Sequence, residues 1–267
     1  MTAVAIVGAS GYVGGELLRL LLRHPQAEVT AVTSEQSSGK PVQALFPNLR
    51  ATALLCESLD PQQVAARAEV IFLALPHTKS AGPAQAFLKA GRKVIDLSAD
   101  FRLKDVRAYE TWYQPPRPCP DLLRTAVYGL PELHRDAIRP ASLVASPGCY
   151  PTAAILSLAP LAKHRLLGDH IIIDAKSGIS GAGRTPALAY HFPEANESME
   201  AYKLGAHRHI PEIEQELGAT VTFTPHLVPL TRGILSTAYV RLKQARTSEQ
   251  LTELYREFYK GEPFVRV

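Results

Sequence analysis

Val4-Ala5-Ile6-Val7-Gly8-Ala9-Ser10-Gly11-Tyr12-Val13-Gly14, followed by Glu16-Leu17-Leu18-Arg19-Leu20-Leu21-Leu22, decides the fold. The first four residues are a short apolar run of β-branched character, the glycines make a tight turn, and the leucine-rich stretch has helical character. Strand, glycine turn and helix in that order open a βαβ unit. In such a unit the glycines let the backbone approach a pyrophosphate, whose charge is favoured by the helix N-terminus. Gly8, Gly11 and Gly14 are spaced G-x-x-G-x-x-G and not the commoner G-x-G-x-x-G. A ligand-free strand-to-helix turn is the alternative, and the flanking strand and helix favour the nucleotide.

Outward from this unit, Glu28 to Thr33, Val70 to Leu75, Lys93 to Leu97 and Ser142 to Ser146 read as further strands, with a helical stretch from Ser80 to Ala90 among them. Strands alternating with helices predict an α/β fold with a doubly wound parallel sheet. Between Thr111 and Pro131 the composition shifts to Trp, Tyr and proline, which reads as a long irregular connection. A domain boundary is expected at Pro147-Gly148, giving units 1–147 and 148–267. The second half has a helix candidate from Thr152 to Lys163, a strand at His170 to Ala175 and a glycine-serine loop at Ser177 to Gly183. Strands at Thr220 to Pro225 and Ser236 to Leu242 follow. Few crossover helices there predict an α+β domain with an antiparallel or mixed sheet.

The end of the second strand sets the cofactor. An acidic residue about 20 residues beyond the loop binds the ribose hydroxyls of NAD. Here that position holds Thr33-Ser34, with Glu35, Ser37, Ser38 and Lys40 after it. Hydroxyls and a lysine suit a 2′-phosphate, so NADP is expected, held by Gly8, Ser10, Gly11, Tyr12, Val13 and Gly14 with Ser34 and Ser38.

Cys149 lies between Pro147-Gly148 and Tyr150-Pro151-Thr152, directly before an apolar helix that accepts Pro151 in its first turn. A thiol at the positive end of a helix dipole is favoured as thiolate, the competent nucleophile. A buried, inert cysteine is the alternative, and it is the reading given to Cys56. The segment His207-Arg208-His209-Ile210-Pro211-Glu212 is the densest titratable cluster. A neutral imidazole there can take the thiol proton and return it to an alkoxide, while Arg208 can hold an anion. The alternative is that the pair caps the helix beginning near Pro211.

Bulk composition narrows the class. With 267 residues and 46% hydrophobic content, the chain can bury a real core. Its +4 net charge comes from 29 basic and 25 acidic residues spread along the sequence, without the basic stripe of a nucleic-acid binder. No segment offers ~18 uninterrupted apolar residues, and the N-terminus lacks the charged region of a signal peptide. Three widely spaced cysteines argue against a disulfide framework or a zinc site, and no metal is expected. These readings predict a cytoplasmic protein.

With Gly8 to Gly14 before it and His207 to Ile213 after it, Ser146-Pro147-Gly148-Cys149-Tyr150-Pro151-Thr152-Ala153 resembles the N-acetyl-gamma-glutamyl-phosphate reductases, within the semialdehyde dehydrogenase superfamily. Ala74 to His77, Asp96 to Arg102, Tyr128 to Glu132, Ser177 to Arg184 and Thr231-Arg232-Gly233 resemble the same family in order. The resemblance implies a Rossmann-type NADP domain followed by a catalytic and oligomerising domain, with a homo-oligomer, dimer or tetramer, as the assembly. It implies a Cys149 thioester formed from an acyl phosphate and reduced by NADPH to a semialdehyde in arginine biosynthesis. His209, with His207 as the alternative, would be the acid/base. Arg102, Arg184, Arg208 and Arg232 would bind the phosphate and carboxylate, and Pro76, Ser177 and Gly178 would lie near the cofactor. A lysine-pathway aminoadipyl-phosphate reductase, aspartate-semialdehyde dehydrogenase and a non-catalytic NADP-binding protein are the competing readings. Family members run on past a Glu-Pro-Phe-Val segment, here Glu262 to Val265, so a native chain longer than 267 residues is also expected.

Overall fold

The computed structural model describes residues 1–49, 52–113 and 119–267. The chain forms two compact units, Met1–Pro147 and Gly148–Val267.

In chain order the first unit runs β1 (Thr2–Val7), α1 (Tyr12–Leu21), β2 (Ala27–Thr33), α2 (Val42–Leu45), β3 (Cys56–Glu57), α3 (Pro61–Arg67) and β4 (Val70–Leu73). It continues with α4 (Ala81–Lys89), β5 (Lys93–Asp96), α5 (Val106–Tyr113), β6 (Val127–Tyr128), α6 (Pro131–Ile138) and β7 (Leu143–Ala145). The seven strands form one sheet in the order β3-β2-β1-β4-β5-β7-β6, and every pairing is parallel. Alternation along β1 shows why the sheet is covered on both faces. Ala5 and Val7 pack with Val64, Ala65, Ala81, Ala84 and Phe87 of α3 and α4. Ile6 turns the other way, to Leu18 of α1 and Val42 of α2. This is the expected doubly wound α/β arrangement. The chain leaves β1 towards β2 and β3, then returns to the opposite side of β1 as β4, so the switch point where open α/β sheets bind ligands lies beside Gly8.

The second unit comprises α7 (Cys149–Lys163), β8 (Leu167–Gly178), α8 (Phe192–Ala195), β9 (Glu200–Ala201), α9 (Ile210–Leu217), β10 (Thr222–Val228), β11 (Ile234–Leu242) and α10 (Ser248–Phe258). Its sheet runs β11-β8-β10-β9, with β8 and β10 parallel and the other two pairings antiparallel, a mixed sheet as expected. Ile171, Ile173 and Ala175 of β8 are buried, whereas Ile172, Leu235 and Tyr239 are exposed.

Two expectations change. The stretch from Thr111 to Pro131 is not uniformly irregular: α5 extends to Tyr113, a short 3₁₀ turn covers Pro120–Arg124, and β6 adds an edge strand. The rest of that stretch, 114–118, lies outside the described residues. Ser177 and Gly178 are not loop residues but the end of β8, because both pair with β10 and Ser177 also pairs with Ile234 of β11.

Candidate active site

At the end of β1 the three glycines do three different jobs. Gly8 has φ +88°, and a Cβ there would fall 2.4 Å from the Ala74 carbonyl oxygen, so only glycine turns the chain against the end of β4. A Cβ on Gly14 would lie 2.6 Å from both Ala9 Cα and the Gly8 oxygen, which ties α1 tightly to the turn. A Cβ on Gly11 meets nothing within 4 Å. That bare backbone, directly before the first helical residues Tyr12 and Val13, leaves room for a pyrophosphate at the helix N-terminus. Ser34, buried at the end of β2, donates to Ser10 Oγ at 2.8 Å and joins the two segments. The Glu35 carboxylate accepts the Leu59 amide at 2.9 Å, while Ser38 and Lys40 are exposed beside it. Pro76 is exposed just past β4. These residues fit a dinucleotide with a 2′-phosphate.

Arg102 is 5% exposed, and its guanidinium donates to two backbone carbonyls, Ser146 at 2.7 Å and Leu97 at 2.8 Å. It braces the exit of β7, three residues before Cys149. Arg184, Arg208 and Arg232 are all exposed in the second unit. Arg232 packs its backbone against Gly178, where a Cβ would lie 2.8 Å from the Arg232 nitrogen. Ser177 is buried beside it.

Cys149 is the first residue of α7, after the N-cap Gly148. Most of this helix is buried, including Tyr150, Ala154, Ile155 and Leu158, yet the Cys149 side of its start is exposed. By contrast Cys56 is buried, and burial pushes its thiol up from the ordinary value. An aromatic cluster lies next to Cys149. Tyr150 packs edge-on against His207 at 5.5 Å and His209 at 6.0 Å, and the two imidazoles are 4.8 Å apart. Burial pushes the Tyr150 hydroxyl up, against hydrogen bonds with Tyr202 and Ser177 that pull it down.

The two histidines are not equivalent. His207 is buried, and its Nδ1 accepts the His209 backbone amide at 3.1 Å, so its proton sits on Nε2 and its lone pair is already used. Burial, reinforced by the Lys203 and Arg208 charges, pushes His207 down to about 4. His209 is half-buried and precedes α9. Sequence reasoning assigned no role to Glu212, although it closes the same segment. The residue is 1% exposed, and its Oε1 accepts the Gly148 amide at 2.8 Å.

Residues 3–141 match the family described as semialdehyde dehydrogenase, NAD binding domain, and residues 149–267 match semialdehyde dehydrogenase, dimerisation domain. The chain is 55% identical to an N-acetyl-gamma-glutamyl-phosphate reductase of Geotalea daltonii over its whole length, which covers 80% of that relative. It is 52% identical to the protein of that name from Pelotomaculum thermopropionicum over 99% of this chain and 78% of the relative. Among solved structures, aspartate semialdehyde dehydrogenase II of Vibrio cholerae superposes with a TM-score of 0.70 at 18% identity, covering 95% of this chain and 78% of that one. The enzyme of Candida albicans with NADP gives 0.67 at 15% identity, covering 96% and 76%, and both likenesses speak for the fold. The chain belongs to the N-acetyl-gamma-glutamyl-phosphate reductase family of semialdehyde dehydrogenases.

Proposed function

We propose that this chain reduces N-acetyl-gamma-glutamyl phosphate to N-acetylglutamate 5-semialdehyde in arginine biosynthesis, using NADPH and releasing phosphate. The observation that carries the reading is an exposed Cys149 at the start of a buried helix, with His207 and His209 packed on its neighbour Tyr150. The Cys149 thiolate, favoured by the α7 N-terminus, attacks the acyl carbon; the C–O bond to phosphate breaks and a thioester remains. NADPH, when bound by Gly8, Ser10, Gly11, Tyr12, Val13, Gly14, Ser34 and Ser38, supplies the hydride. His209 takes the thiol proton before the attack, gives a proton to the oxygen as the thioester carbon takes the hydride, and takes it back as the C–S bond of the thiohemiacetal breaks and Cys149 leaves as thiolate. His207 is unsuited to that task, because accepting a proton at Nδ1 would break its bond to the His209 amide. Its contribution is to hold His209 in place. Arg184, Arg208 and Arg232 hold the phosphate and carboxylate, since a guanidinium grips either bidentately. Arg102 fixes the chain ahead of Cys149.

The same reading places Pro76, Ser177 and Gly178 near the cofactor and the reaction in the cytoplasm, where free thiols persist. The assembly is a homodimer or tetramer, supported by the dimerisation-domain match and by Ile172, Leu235 and Tyr239 on the sheet of the second unit.

The test runs the reaction backwards, with N-acetylglutamate semialdehyde, phosphate and NADP, following NADPH formation. Cys149→Ser is expected to abolish turnover. His209→Asn is expected to lower kcat by about 10²- to 10⁴-fold, with a smaller loss in His207→Asn. Turnover surviving in Cys149→Ser would refute the thioester route.

A further inference from the structure

We infer that Glu212 is a positioning residue for the thiol chemistry: by holding the Gly148 amide from the first turn of α9, its buried carboxylate fixes the reach between Cys149 and His209. The inference rests on the reading that these two residues carry the reaction. Glu212 is the third residue of α9, whose N-cap is His209. A glutamate at that position commonly folds back onto the N-cap amide. Here the His209 amide is taken by His207 Nδ1, and the Glu212 carboxylate reaches out to Gly148.

Gly148 is the N-cap of α7 and the residue before Cys149, so its amide lies outside the hydrogen bonding of its own helix. One side chain thus ties the start of the helix bearing the nucleophile to the start of the helix that follows the acid/base. Burying a carboxylate is expensive, and the N-cap amide of its own helix has the His207 ring as a partner. What the bond achieves is registration of α7 against α9. Displacements of about 1 Å at reacting groups cost up to ~10²-fold in rate.

The test compares Glu212→Asp, which keeps the charge and shortens the reach by about 1.5 Å, with Glu212→Gln, which keeps the reach and drops the charge. Thermal melting checks folding, and rates are expressed per reactive Cys149 thiol, so lost protein does not register as lost kcat. Glu212→Asp is expected to lose tenfold or more in kcat with little change in KM, and its pH profile for Cys149 alkylation by iodoacetamide is expected to move from that of the parent. Glu212→Gln is expected to retain at least a third of kcat. An Asp variant matching the parent in kcat and alkylation profile overturns the inference, as does a Gln variant impaired as severely as Asp. If the parent itself fails to turn over the semialdehyde, the proposed reaction fails, and the alkylation profiles of parent and Asp variant still decide the role of Glu212.

Discussion

Two glycines three residues apart meet opposite steric surroundings. A Cβ on Gly14 collides with the backbone of Ala9 and Gly8, whereas one on Gly11 enters open space. Gly14→Ala is therefore expected to destabilise the protein by about 1–3 kcal/mol through overpacking. Gly11 has φ −77° and ψ 170°, which alanine adopts without strain, so Gly11→Ala is expected to stay within about 1 kcal/mol of the parent. Its effect is expected in the KM for NADP, raised tenfold or more by a methyl group where the pyrophosphate approaches. Denaturant melts beside NADP titrations check both; a Gly11 variant with unchanged NADP affinity would remove the loop from the binding site. Gly8 and Gly14 were legible because each answers a local steric demand, and Gly11 because its spacing from them marks a strand-to-helix turn. The difference in setting between His207 and His209 was not, because it depends on a backbone amide landing on one ring nitrogen. Glu212 was also missed: its partner Gly148 lies 64 positions away in the chain.

At the scale of elements, β1, β2, β4, β5 and β7 of the parallel sheet were readable from apolar runs bounded by glycine and proline, whereas the two-residue edge strands β3 and β6 are too short to show such a run. Helix α3 was missed despite its signals, Asp60 as N-cap accepting the Gln62 and Gln63 amides and Pro61 at the first position. It has only seven residues, too few for periodicity to announce it. The packing of α10 on α7 could not be read either. Pro160 inside α7 has no N–H, so the Leu156 carbonyl one turn earlier lacks its helical donor. The Tyr259 hydroxyl, at the end of α10, donates to that carbonyl, and Tyr255 one turn before it donates to the Ser157 carbonyl. Burial pushes the Tyr255 hydroxyl up to about 12, in keeping with its role as donor. Tyr259→Phe is expected to cost about 1–3 kcal/mol, the penalty of an unsatisfied buried carbonyl. Pro160→Ala restores the missing amide, so the same substitution in that background should cost about 1 kcal/mol less. A double-mutant cycle by urea unfolding measures the coupling; strict additivity would mean that Tyr259 does not serve the proline gap.

Over the whole molecule, the two units carry buried groups that respond to acid with opposite sign. In the first, Asp96 at the end of β5 is fully buried, and loss of water raises its carboxyl from 3.8 to about 6, against hydrogen bonds from Ser98 and Ser80. A carboxyl that binds its proton more tightly when folded contributes stability in full below pH 3.8, and that contribution is lost as the pH rises through 6. In the second, burial lowers His207 from 6.5 to about 4. An imidazole that binds its proton less tightly when folded contributes stability in full above pH 6.5, and that contribution is lost as the pH falls through 4. Between pH 7 and 5, acidification therefore stabilises the first unit and destabilises the second, by about 1–2 kcal/mol each. Amide hydrogen exchange at the two pH values, corrected for intrinsic rates, is expected to show β5 and β4 becoming better protected while α9 and β10 open. Asp96→Asn should flatten the response of the first unit and His207→Gln that of the second, each leaving the other unit's response in place. Protection moving the same way in both units, or surviving in the matching variant, would mean that other titrating groups govern stability in this range.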